Sequence, residues 1–337
     1  MFLHTTSVVF ESRSNTGEQS GTGLKMTAKR YHTAESRSNA DGFSLLFAHC
    51  IGSHKEQWEP IIEQVFRVQH AKGKTRRVHE AWAFDWQNHG DAAVLNRAAL
   101  AESWQMGVTA DVWADAIAAF VRSPRMLGKR MVAIGHSAGA AAMINSLQDI
   151  QLRAPPYACI VLLEPTIATP ELFYQHMAPS VPANVAATLS RRARWPSREA
   201  AYEWLRWRTP WRTWDPRVLR LFTLHGLEAT SDGGVALKCD VRQEARAFPD
   251  VAPHFAAAEA LARVARAVPV HLVWATRSHL MPRALQDALA ARGAASITRV
   301  ESGHMIVQEQ PERAAVAICA ALDGVGIDLG GRARSRM

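Results

Sequence analysis

The sequence predicts an α/β protein built on a largely parallel sheet with both faces covered. Two observations carry that prediction. Apolar runs of strand length alternate with segments of helical spacing from Phe43 to Gly324. The runs are continuously apolar rather than alternating, as strands buried on both faces must be. In such sheets functional groups gather in the loops beyond the carboxyl ends of the strands.

In chain order, TSVVFES (6–12) and LKMTAKRYH (24–32) read as paired edge strands. FSLLFAHC (43–50) is a β-rich run ending in a turn, and EQWEPIIEQVFR (56–67) has helical spacing. HEAWAFDW (79–86) is a strand, and NHGDAA (88–93) after it a loop. ADVWADAIAAFVRS (110–123) is a helix, RMVAIGHS (130–137) a buried strand, AAAMINSLQDI (140–150) a helix. ACIVLLEP (158–165) is a strand stopped by Pro165. From 168 to 250 strand-like runs give way to prolines, arginines and five tryptophans: Trp195, Trp204, Trp207, Trp211 and Trp214. A helical insertion is expected there. A helix (256–267), VPVHLVWAT (268–276) as a strand, a helix (283–291), SITRVES (296–302) as a strand and a helix (311–324) complete the alternation. The expected organisation is a core over 1–167 and 251–325, a cap over 168–250 and a flexible tail over 326–337.

Composition narrows the class. Hydrophobic residues make up 48% and charged residues 21% of 337 positions, ordinary for a globular protein. There is no apolar run of about 18 residues to span a membrane and no start resembling a secretory signal. Cys50, Cys159, Cys239 and Cys319 have no CxxC spacing and read as reduced thiols of an intracellular protein. No HExxH or Cys/His cluster suggests a metal, and no cofactor is expected. The net charge is +8. With no zinc finger, RNP-like stretch or basic heptad helix it does not indicate nucleic acid. An anionic substrate is the sharper expectation, a solvated surface the plainer one.

Gly135-His136-Ser137-Ala138-Gly139 fits G-x-S-x-G, the pattern of a nucleophile elbow. A strand before it and a helix after it give the match its weight. The tight turn leaves no room for side chains at the glycine positions. It pushes the Ser137 hydroxyl out at the strand tip and puts the Ala138 N–H at a helix N-terminus, where it can stabilise an oxyanion. A serine nucleophile needs a base. Gly303-His304 follows the last strand and precedes the last helix, which singles His304 out among 14 histidines.

These residues make the chain similar to the α/β-hydrolase superfamily from about Phe43 to Ala321. His49-Cys50-Ile51-Gly52 resembles the family's oxyanion loop, and Asp85 to Asp91 its D-x-x-x-HG-D/S loop. HCIGSHKEQWEP (49–60), FDWQNHGDAAVLN (84–96) and LLEP (162–165) further resemble fungal peroxisomal hydrolases of secondary metabolism, including toxin-biosynthesis hydrolases and the acyl-CoA hydrolase of the mycophenolic acid pathway. The resemblance implies the backbone N–H of Ile51 as a second oxyanion donor. It implies bracing roles for His49, Asp85 and His89, and a pocket position for Cys50.

The acid of the family stands in a W-G-x-x-D pattern after the strand before the last. Here that stretch reads Trp274-Ala275-Thr276-Arg277-Ser278, with serine at the acid position. Serine cannot hold the charge that orients a histidine. Glu164, a carboxylate directly after four apolar residues, is the candidate replacement. Charged residues at the end of a buried strand are rarely idle, and some members of the superfamily, the peroxisomal group included, place their acid at this strand end. A salt bridge to a cap arginine is the structural alternative.

The expectation is thus a cofactor-independent serine hydrolase acting on an acyl-CoA thioester or an ester through Ser137, Glu164 and His304. A cyclase, acyltransferase or C–C hydrolase on the same fold, or a non-catalytic binding protein, is the alternative. Dehalogenase chemistry would need a carboxylate where Ser137 stands. The cap tryptophans and the arginines Arg191, Arg192, Arg194, Arg198, Arg206, Arg208 and Arg212 could receive an acyl chain and phosphates. Ser335-Arg336-Met337 fits the small–basic–aliphatic peroxisomal address and predicts an import receptor as partner, with the cytosol as the alternative location. A homodimer is left open.

Overall fold

The computed structural model describes residues 2–11, 23–73, 77–148, 150 and 152–325. The tail at 326–337, with Ser335, Arg336 and Met337, lies outside the described residues. The strands are β1 (His4–Glu11), β2 (Lys25–His32), β3 (Phe43–Ala48), β4 (Val78–Phe84), β5 (Arg130–His136), β6 (Tyr157–Leu163), β7 (Arg194–Trp195), β8 (Leu227–Ala229), β9 (Val235–Leu237), β10 (Val270–Ala275) and β11 (Ser296–Val300). Eight of them form one sheet in the order β1-β2-β4-β3-β5-β6-β10-β11. From β4 to β11 every neighbour is parallel. The antiparallel pairs β1–β2 and β2–β4 finish one edge.

The central strands bury both faces. In β3, Phe43, Leu45 and Phe47 face one apolar cluster while Leu46 and Ala48 face the other. In β5, Val132 and Ile134 oppose Met131 and Ala133. Helices Glu59–Ala71 and Pro311–Gly324 pack together on the first face. Helices Ala110–Val121, Ala138–Asn145 and Ala252–Ala267 cover the second. Full burial of each large apolar side chain favours the fold by ~1.5–3 kcal/mol. The tips of β3, β5, β6, β10 and β11 are thereby fixed side by side.

Two expectations need correction. The stretch expected as a loop after β4 (88–93) enters a short helix, Gly90–Leu95, which a second, Arg97–Glu102, follows. Gly90, at φ +52, opens the first because its Cα lies against the Asp85 carboxylate, where a side chain would collide. The insertion is not purely helical either. Beside helices Pro170–His176, Val181–Leu189, Arg198–Leu205, Pro216–His225 and Val241–Arg246 it carries a small antiparallel sheet, β7-β9-β8. Strands of two or three residues are too short to show a period. The insertion has its own apolar cluster, where Trp195, Trp211 and Trp214 pack with Val218 and Phe222, while Trp207 is exposed. No described helix is long and apolar enough to cross a membrane.

Candidate active site

β5 runs out at His136, and Ser137 turns the chain with φ 54 and ψ −119 into the helix beginning at Ala138. A Cβ at Gly139 would strike the carbonyl oxygens of Ala48 and His49, and one at Gly135 the backbone of Ala140. The turn can therefore close only with glycine at both places. Ser137 N–H donates to Leu163 O at 3.1 Å, which ties the turn to the end of β6.

Glu164 is the next residue of that strand, also with positive φ, at 45. Ser137 and Glu164 are the only non-glycine residues with positive φ among the described residues. Such backbone costs about 1–3 kcal/mol and persists where surrounding packing enforces it. Glu164 N–H donates to Val273 O at 2.8 Å. Its side chain is fully buried. Oε1 accepts from Ala275 N–H at 2.6 Å, and Oε2 lies 3.0 Å from His304 Nδ1.

His304 arrives on the loop after β11. Its Nε2 is 3.1 Å from Ser137 Oγ. With the carboxylate accepting the Nδ1 proton, Nε2 turns its lone pair to the serine hydroxyl. The loop is held at its backbone: Gly303 N–H donates to Glu309 Oε2 at 2.7 Å, and His304 O accepts from His136 Nε2 at 2.9 Å. Burial pushes His136 down to about 3, and His304 beside it adds to the effect, so the clamp is a neutral ring. His136 has no part in the elbow motif as such, and its place directly before Ser137 is the signal that could have found it.

Ser278 has a different task. Its Oγ accepts from Met281 N–H at 3.3 Å, inside the turn that leads to helix Arg283–Ala290. The carboxylate reaches the end of β10 from β6 instead, through the Ala275 N–H.

The turn after β3 carries Ile51, which lines one cavity with Ser137. Ala138 is the first residue of its helix, so its N–H has no intrahelical acceptor. Gly52, at φ +74, donates its N–H to His89 Nε2 at 3.1 Å, and the Glu244 carboxylate packs on its Cα. His49 donates from Nδ1 to Cys50 O at 2.7 Å and accepts Trp86 N–H on Nε2 at 3.1 Å. Burial pushes His49 down to about 4 and the Cys50 thiol up to about 12, so neither is a charged participant. Asp85 accepts from Lys55 N–H and Nζ, Thr27 Oγ1 and Asp91 N–H at 2.7–3.0 Å. Burial would lower the Lys55 ammonium, but Asp85, Glu56 and Asp91 overcome it and raise it above its ordinary range. His49, Asp85 and His89 thus brace the turn.

The cavity measures about 900 Å³. Ser137 and His304 open into it, Phe173, Met177, Phe248, Val251 and Leu280 give it an apolar wall, and Trp204, Trp211 and Trp214 come from the insertion. Of the arginines singled out in the sequence, Arg191, Arg192 and Arg208 line it. Arg191 is engaged on both Nη atoms by Glu244. Arg192 and Arg208 are exposed, with their guanidinium groups 5.8 and 4.1 Å from the Trp204 ring centre. Arg194, Arg198 and Arg206 turn elsewhere, to Asp232, Leu227 O and Glu203. Arg212 is not in the lining either.

The sequence profile of the Alpha/beta hydrolase family matches residues 45–318. No protein of curated function matches the chain. The fold is similar to the peroxisomal alpha-beta-hydrolase Lpx1 from Saccharomyces cerevisiae, with a TM-score of 0.73 at 16% identity over 95% of this chain and 88% of that one. It is also similar to E-2-(acetamidomethylene)succinate hydrolase, with a TM-score of 0.69 at 17% identity over 95% and 100%. The thioesterase domain from the curacin biosynthetic pathway gives 0.64 at 15% identity over 94% and 99%. At these identities the likeness is one of fold.

Proposed function

The chain belongs to the alpha/beta hydrolase family, and from that premise we propose that it is a serine hydrolase cleaving a thioester or ester through an acyl-enzyme. The observation that supports this is the His304 ring, with one nitrogen on Glu164 and the other on Ser137. Ser137 Oγ attacks the carbonyl carbon while His304 Nε2 takes its proton. Glu164 holds the ring in the tautomer that permits this and stabilises the imidazolium that forms. The N–H groups of Ala138 and Ile51 receive the oxyanion. His304 returns the proton to the leaving thiolate or alkoxide. Water, activated by the same ring, then releases the acid and restores Ser137. Residues 168–250 act as the cap that shapes the acyl site.

The finer reading is an acyl-CoA thioester, within fungal secondary metabolism. Exposed Arg192 and Arg208 beside Trp204 offer charge for phosphates and a flat ring for the carrier at the edge of the cavity. A peroxisomal location agrees with the Ser335–Met337 pattern and with the peroxisomal yeast hydrolase of similar fold. Punctate localisation lost on deleting those three residues is the expected result.

The direct test is release of CoA from a panel of acyl-CoA thioesters, alongside p-nitrophenyl esters, with S137A as the blank. Ser137-dependent thioester cleavage is expected. Ester cleavage alone makes the protein a carboxylesterase, and silence on both removes the hydrolase reading.

A further inference from the structure

Among the apolar side chains of the cavity wall stand two buried polar ones in contact, Thr166 and His254. Thr166 follows two residues after Glu164. His254 lies in the first turn of helix Ala252–Ala267, which packs on the helix that follows Ser137. His254 is 9% exposed and contributes to the cavity lining, beside Val251 and Phe248. It takes no part in the proposed chemistry.

The Thr166 hydroxyl lies 3.3 Å from Nδ1 of this ring. That contact takes up Nδ1 and leaves Nε2 for another partner. Burial pushes His254 down to about 4, so the ring stays neutral at physiological pH. A polar ring in an apolar wall has to keep its second nitrogen hydrated or partnered, a demand that an apolar side chain in the same place would not make. The position makes physical sense when the bound ligand supplies that partner.

We infer that His254, oriented by Thr166, is a specificity-determining hydrogen-bond partner for a hydroxyl group carried within the acyl part of the substrate. This rests on the serine-hydrolase reading for the direction in which the substrate lies. The pocket would then favour an oxygenated acyl chain over its plain alkyl counterpart, because only the former can hydrogen-bond to the ring.

The test uses dodecanoyl N-acetylcysteamine thioester and its 3-, 5-, 8- and 11-hydroxy isomers. Wild-type protein is expected to prefer at least one hydroxy isomer over the parent by about tenfold in kcat/KM, the size of one net hydrogen bond. In H254L that ratio falls to about one, with H254Q, which keeps an acceptor, in between. The wild-type ratio should be level from pH 5 to 8, since the ring does not titrate there. No preference at any position in the wild type, or a preference that survives in H254L, overturns the inference. If no thioester is turned over by any form, the hydrolase reading has failed separately. Calorimetric binding of the corresponding hydroxy and plain fatty acids to S137A then decides the matter, and equal affinities overturn it.

Discussion

The strand-end shelf and the 168–250 insertion contribute to the same cavity by different physical means. On the shelf, Ser137 and Glu164 sit one step beyond paired strands, with His136 opposite Leu163 in the register, and strained backbone fixes their direction. In the insertion, helices Arg198–Leu205 and Pro216–His225 around a cluster of tryptophans set the distance and shape of the opposite wall. The shelf is rigid because each strand tip is tied to its neighbour by backbone hydrogen bonds. The insertion is held by side-chain packing, its tryptophans in a cluster of their own and Phe173 and Met177 in the cluster of the core. The difference teaches that chemistry should respond to single atoms on the shelf, and selectivity to volume and charge in the insertion.

The sharpest way to break that comparison is at the nucleophile. S137A is expected to lower kcat by about 10⁶-fold on any substrate found, since the members of a serine–histidine pair act as a unit. H304A should fall as far, and the double variant no further. An S137A protein with a substantial residual rate would move the chemistry off the shelf.

Next in size is the carboxylate. E164Q keeps the acceptor for Ala275 N–H but loses the charge at His304 Nδ1. It should lower kcat by about 10⁴-fold with little change in KM. S278A, at the position where the family's acid normally stands, is expected to stay near wild type. If the two variants change places, the carboxylate from β6 does not serve His304.

These positions also show how far the sequence could be read. Ser137 and His304 were legible because a strand–turn–helix pattern and the order of elements leave few places for them. Glu164 was legible for a different reason, as a charge at the end of an apolar run. The turn at Gly90 and the strands β7 to β9 were not, since they depend on the Asp85 carboxylate and on two- or three-residue pairings that carry no period. Which of the cavity arginines carries a carboxylate partner was invisible too. Arg191 and Arg192 are adjacent, yet one is paired with Glu244 and the other is exposed. Only the fold of the insertion separates them.

Packing tests the other half of the comparison. Trp214 is buried in the insertion's cluster and also lines the cavity. W214A should cost about 3–5 kcal/mol of stability where the cluster cannot collapse around the void. The same variant should alter the chain-length profile of turnover more than the rate on a short acetyl ester. Equal loss on short and long chains would mean that the insertion positions the shelf itself.

Acid tests both regions together. Burial pushes His49 and His254 down to about 4 and His136, with help from His304, to about 3. Their folded values lie below the 6.5 of a free imidazole, so the unfolded chain takes up protons that the folded chain refuses. The stability they contribute is complete above pH 6.5 and is lost as the pH falls toward 4. Each ring steepens the fall by about 1.4 kcal/mol per pH unit. Chemical denaturation at pH 7.5, 6 and 5 should register the decline. A level profile would mean that these rings are hydrated rather than buried.

The smallest expected effect concerns Arg192 and Arg208. Both are exposed, and charges of that kind contribute little to stability, so R192S/R208S should unfold at the wild-type denaturant concentration. Its effect should appear only with a substrate that carries phosphates. With an acyl-CoA, KM is expected to rise about tenfold and to become less sensitive to salt. With the N-acetylcysteamine thioester of the same acyl group, which lacks the phosphates, KM should not move, and kcat should be unchanged for both. That split separates recognition of the carrier from recognition of the acyl chain. If the wild type already hydrolyses the truncated thioester as well as the CoA form, the two arginines do not read phosphate. Their proximity to Trp204 then serves the packing of the insertion alone.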